Sequence, residues 1–131
     1  MKLPCEMIVS HVLPVARGSI SRDLVERHHR TQSDVAKIFG VTPAAVSQYL
    51  NGIRGGDSII NRSAYRDDFH AIIREVSDMI VEGHDVCECL CRICAFTKKS
   101  GLLKALYVNE GYFGDNLVCM ECPRFNIILP E

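Results

Sequence analysis

Six of the seven cysteines of this 131-residue chain lie between positions 87 and 122, in the segments VCECLCRIC and VCMECP. Thiolates are soft ligands, and a pair in C-x2-C spacing converges on one ion. Cys91 and Cys94 form one such pair, and Cys119 and Cys122 form another, with 24 residues between Cys94 and Cys119. Together they offer four thiolates to a single tetrahedral centre. Cys87 and Cys89 extend the first pair to C-x-C-x-C-x2-C, more sulfur than one zinc needs, and are alternates for one of the four ligands. Pro123 directly after Cys122 matches the Cys-Pro that closes many ferredoxin-type motifs. The surplus sulfur favours an iron–sulfur cluster. A structural zinc is the alternative, and buried or redox-active thiols without metal are a further one. Cys5, near the N-terminus, is read as a small buried apolar residue rather than a ligand.

Something must position these thiols, and composition bounds what that is. The hydrophobic share of 47% supports a packed core in one ordinary domain or two small ones. The net charge is −1, but it is unevenly placed. Residues 1–56 hold seven Lys/Arg against four Asp/Glu, and residues 57–131 hold eight against twelve. A basic half joined to an acidic half is expected of a DNA-binding module (1–56) followed by a control module (57–131). No apolar run reaches the ~18–20 residues that cross a bilayer. The N-terminus is broken by Pro4, Glu6, His11 and Pro14 and lacks the apolar centre of a signal peptide. The expected location is the cytoplasm, where so many cysteines argue for metal or redox chemistry rather than a disulfide framework.

The hydrophobic period is helical throughout most of the chain. Met7, Ile8, Val12 and Leu13 predict a helix over 5–13, which Pro14 either kinks or follows with a new helix. Val15, Ala16, Ile20, Leu24 and Val25 predict a helix over 15–29, ending in the solvated cations His28, His29 and Arg30. Tyr65, Phe69, Ile72, Ile73, Val76, Met79 and Ile80 recur at threes and fours and predict a long amphipathic helix over 63–82. Further helices are expected over 86–97 and 101–108, then turns from Asn109 onward and a short strand or apolar anchor at 125–129. The expected fold is mainly α: an N-terminal helix-turn-helix bundle, a long helix and a small cysteine-rich metal-binding module.

The helix-turn-helix is read from Thr31 to Gly52, TQSDVAKIFGVTPAAVSQYLNG. Thr31 or Ser33 caps the first helix, with Asp34 near its start. Ala36 is small where two helices cross, Gly40 accepts a left-handed backbone at the turn, and Val46 pins the second helix. Val41, Leu50 and Phe39 complete this small core. Thr42 caps the second helix and Pro43 occupies its first turn. The outward residues of that helix are Pro43, Ala44, Ser47, Gln48 and Asn51. Glutamine reads adenine bidentately, serine meets a base edge or phosphate, and alanine touches a thymine methyl. Thr42, Tyr49 and Arg54 are expected at the phosphate backbone, which positions without reading sequence.

The segments LPCEMIV, VLPVARG and DVAKIFGVTPAAVSQYLNGIRG, with the cysteine-bearing C-terminal segment, resemble archaeal helix-turn-helix regulators of the XRE-like type. The likeness is close over the first 56 residues and loose beyond them. It implies a dimeric transcriptional regulator and does not supply an effector.

The expected function is therefore sequence-specific binding of double-stranded DNA by a homodimer, modulated by a cysteine-ligated iron–sulfur cluster that senses redox state, iron or sulfur. The alternatives are a DNA-binding regulator with a purely structural zinc and a thiol redox protein. Against the last, no βαβ pattern surrounds either C-x2-C. No Ser-His-Asp set, phosphate-binding glycine loop or supported acidic pair is present in the sequence, so enzyme activity is not expected. A two-fold pair would set its recognition helices about one DNA turn (~34 Å) apart. The apolar faces of 7–25 and 69–80 exceed what one small core is expected to need, which also points to a dimer.

Overall fold

The computed structural model describes residues 4–51 and 60–109, and these are helical, with no strand among them. Helix α1 (Pro4–Met7) runs through a π-helical turn (Ile8–Val12) into α2 (Leu13–Glu26). Then come α3 (Gln32–Phe39), α4 (Pro43–Leu50), α5 (Arg66–Val81), α6 (Val86–Ser100) and α7 (Leu102–Asn109).

Pro14 opens α2 as a first-turn residue, one of its two expected places, and the helix before it runs on into α2 without a break. A proline lacks an N–H and its ring collides with the carbonyl four residues back. The chain answers by widening: the N–H of Leu13 bonds to the carbonyl of Ile8, five residues back, and Pro14 falls in the first turn of α2. At the other end α2 stops at Glu26, short of the histidines. His29 takes a left-handed φ of 59°, and the Arg30 N–H reaches back to the Leu24 carbonyl at 3.0 Å. His28 is also no solvated end. Its Nε2 lies 2.9 Å from Asp78 Oδ1 on α5.

The later helices follow local signals. Asp67 and Asp68 sit in the first turn of α5, where the helix dipole favours acids. The Asp85 side chain accepts from the Glu88 N–H and caps α6. Lys98 and Lys99 occupy the last turn of α6, and Gly101 reverses the chain at a φ of 96°.

One hydrophobic core draws on both sides of residue 56. Met7, Ile8, Val12, Ile20 and Leu24 from the N-terminal helices join Phe69, Ile73, Val76 and Ile80 of α5, Cys89 and Ile93 of α6, and Leu102, Leu103 and Leu106 of α7. Helix α2 is central and packs against both α4 and α5. The apolar faces of 7–25 and 69–80 thus contribute to one core within a single chain, so their apolarity alone does not call for a dimer. Among the described residues, Val9 and Val108 are the large apolar side chains that remain exposed, at 60% and 49%. The expected module boundary at 52–56, the turns after Asn109 and the apolar stretch 125–129 lie outside the described residues.

Candidate nucleic-acid interface and thiol cluster

The turn between α3 and α4 is built from short-range hydrogen bonds. Thr31 accepts from the Asp34 N–H at 3.1 Å, and the Asp34 carboxylate accepts from the Thr31 N–H at 3.3 Å, a reciprocal cap. The backbone N–H and the side chain of Thr31 hold the Asp34 carboxyl below its ordinary value. Gly40 ends α3 at a φ of 66°. Val41 then bonds back to the Ala36 carbonyl at 3.0 Å. Thr42 caps α4 by accepting from the Ala45 N–H at 3.1 Å, with Pro43 in the first turn.

Packing fixes which face of α4 is turned outward. Ala36 and Val46 are buried where α3 and α4 cross, as their spacing required, and Val41, Phe39 and Leu50 pack partly buried around them. Val35 on α3 is also fully buried. Thr42, Pro43, Ala44 and Asn51 are exposed, and Ser47 and Gln48 are half-buried. Tyr49 is not on this face. It is 5% exposed, with its ring in the interior, which corrects its expected place at the phosphate backbone. Position 49 lies three residues past Val46 and so shares its inward stripe. Arg54 lies outside the described residues.

Arg22 belongs to this arrangement and was not singled out by the sequence. Its guanidinium on α2 donates to the Leu50 carbonyl at 3.0 Å, at the last turn of α4. That carbonyl is one of the orphans a helix end leaves, and a cation there suits the dipole. The 28 positions between donor and acceptor leave no local signal for it.

A family profile described as helix-turn-helix matches residues 22–55, the segment from Arg22 through α3 and α4. Within this segment α3 and α4 form a helix-turn-helix. The match supports DNA binding and a role in transcription regulation. No curated protein and no solved structure matches the chain. Among the described residues no helix is long and apolar enough to cross a membrane.

The thiols sort by helical phase. On α6, Cys87, Cys91 and Cys94 follow one another at four and three residues and share a stripe. Cys87 is exposed, and Cys91 and Cys94 are intermediate. Cys89 falls on the other side, fully buried in the core. Of the two alternates, only Cys87 shares the stripe of the C-x2-C pair. Burial pushes the Cys94 thiol up to about 11, with the neighbouring Cys91 and Cys5 adding to the effect. Burial likewise pushes the Cys89 thiol up, with Glu88 second. Cys5 is exposed rather than buried, because Met7 and Ile8 are the residues of the first turns that face inward. Among the described residues no three His, Cys, Asp or Glu side chains are close enough to share a metal ion. Cys91 and Cys94 therefore supply at most half of a tetrahedral site, and Cys119 and Cys122 lie outside the described residues.

Proposed function

We propose that the chain is a cytoplasmic, sequence-specific transcriptional regulator that binds double-stranded DNA as a homodimer, with α4 in the major groove. The observation that carries this reading is the outward face of α4. Thr42, Pro43, Ala44 and Asn51 are exposed beside Ser47 and Gln48, so the face carries small and polar groups and no large aliphatic side chain. Gln48 would read adenine, Ser47 a base edge or phosphate, and Ala44 a thymine methyl. The amides at the start of α4, with Thr42, suit a phosphate. A dimer is proposed because one such helix spans too few bases for useful specificity.

The Cys91–Cys94 pair, with Cys119 and Cys122, is proposed to hold an iron–sulfur cluster that modulates DNA affinity. Bound to these thiolates, the cluster would add a redox-sensitive centre. The chain's own residues would anchor that centre to α6, whose packing on α5 leads to α2 and the helix-turn-helix domain. Two thiols on one face of a helix serve zinc equally well. An absorption spectrum and metal analysis of anaerobically purified protein separate the two, since zinc is colourless.

The DNA reading is tested by Gln48→Ala. Operator affinity should fall by about 1–3 kcal/mol while binding to scrambled duplex holds. Equal losses on both duplexes in gel-shift titrations would remove Gln48 as a base reader.

A further inference from the structure

An open cleft of about 270 Å³ lies between helices α2 and α5, and the DNA-binding reading does not use it. Its α2 wall is Ser19, Arg22, Asp23 and Glu26, and its α5 wall is His70, Ile73 and Arg74. The α2 residues fall at intervals of three, four and seven, which is one helix face. Ile73 is buried and gives the cleft an apolar base. Its lining includes two arginines and two acidic residues. Asp23 is engaged by Arg27 at 2.8 Å, and His70 lies 3.2 Å from Asn61 Oδ1. The Arg74 guanidinium and the Glu26 carboxylate have no hydrogen-bond or ion-pair partner among the described residues, although both line the cleft and carry opposite charge.

The geometry points to a binding site for a small zwitterion of the amino-acid type in this cleft, one whose occupancy acts on α4 through Arg22. A simple anion would meet Glu26 and Asp23, and a simple cation would meet Arg22 and Arg74. A molecule with both an ammonium and a carboxylate satisfies each set, with its apolar part on Ile73. The volume lies just below the roughly 300–1,000 Å³ of drug-sized sites and suits a metabolite of that size. Arg22 is the link to α4. Arg22 lines the cleft, and its guanidinium donates to the Leu50 carbonyl at 3.0 Å. A carboxylate is a stronger acceptor than a peptide carbonyl. A ligand carboxylate at Arg22 would therefore draw the guanidinium from Leu50 and loosen the last turn of α4. The consequence for DNA affinity rests on the helix-turn-helix reading. The occupancy and its effect on α4 do not.

The test uses the full chain without DNA. Each of the common amino acids is added singly at millimolar concentration and thermal unfolding is followed, with acetate and ethylamine as one-charge controls. At least one amino acid should raise the midpoint and neither control should. For that amino acid, Arg74→Ala and Glu26→Gln should each weaken binding by about tenfold or more in calorimetric titration. Amide hydrogen exchange of residues 48–51 should speed up on binding in the native chain and not in Arg22→Gln. The proposal is overturned if no amino acid raises the midpoint, or if acetate or ethylamine does so equally. It is also overturned if both cleft variants bind as tightly as the native chain, or if exchange at the end of α4 does not respond. Because no duplex enters any arm, failure here is distinct from failure of the DNA-binding reading.

Discussion

Arg27 Nη2 lies 2.6 Å from Asp78 Oδ1, so the end of α2 is tied to α5 across 51 positions of sequence. The same guanidinium grips Asp23 at 2.8 Å, and His28 Nε2 shares the Asp78 oxygen at 2.9 Å. The helix that leads into the helix-turn-helix domain is thereby fastened to the helix that carries the C-terminal half. The Arg27 guanidinium, with His28, holds the Asp78 carboxyl below its ordinary value of 3.8. Partial burial pushes Asp23 up, but Arg27, Ser77 and His28 together outweigh this and the carboxyl also lies below that value. A carboxyl depressed in the folded state contributes stability above its unfolded pKa and loses it as pH falls through the folded pKa. Asp78→Asn should therefore lower the melting temperature at neutral pH. The difference from the native chain should shrink as pH drops below 3.8. The side chain of Asp78 is 47% exposed, so the effect should be modest and should diminish in high salt. Thermal scans across the acid range check this. A difference independent of pH would show that the contact is not ionic.

Gly40 turns the chain between α3 and α4 at a φ of 66°, and a Cβ built there meets no heavy atom within 4 Å. The penalty for Gly40→Ala is then left-handed backbone strain without a collision. We expect a stability loss of about 1 kcal/mol, an unchanged urea m-value and retained DNA binding. A much larger loss would mean that the turn has no room for a side chain after all.

Tyr49 and Gln48 are neighbours in sequence with opposite duties. Tyr49→Ala should cost about 3 kcal/mol of folding stability, in the range for deleting a buried aromatic ring. Gln48→Ala should change stability by no more than about 0.5 kcal/mol and act on the operator instead. Urea unfolding of both variants, beside their gel shifts, separates the two roles. A Tyr49→Ala protein of native stability would return the tyrosine to the surface.

Cys89 and Cys91 offer the same kind of contrast for the metal. Cys89 is buried among apolar side chains, so Cys89→Ser should destabilise by about 1–3 kcal/mol through a buried hydroxyl and leave metal content unchanged. Cys91→Ser and Cys94→Ser should lower metal content and spare the core. Metal stoichiometry of the purified variants decides. Full metal in Cys91→Ser would remove this pair from the ligand set.

What the sequence determined by itself was the set of local events. Thr31 with Asp34, Gly40, and Thr42 with Pro43 start and stop α3 and α4 through hydrogen bonds that span three to five residues, and such signals are visible in a window of that length. Ala36 and Val46 were legible as the crossing point because small and apolar residues at that spacing have one way to pack. The helical period likewise located α5, α6 and α7. Only the tertiary structure decided what covers each face. Periodicity shows that 7–25 and 69–80 have apolar stripes, but not that each is the other's partner, since burial has no direction along the chain. The same holds for Tyr49, whose aromatic ring and hydroxyl suit a surface or a core until α4 is laid on α2. It holds for His28, which ends a helix in sequence and meets Asp78 only because α2 and α5 lie side by side. Pro14 is the sharpest case. Its missing N–H was plain from the start, but that the chain answers with a widened turn, with Ile8, Val12, Val15 and Ala16 all buried around it, is decided only in the folded structure.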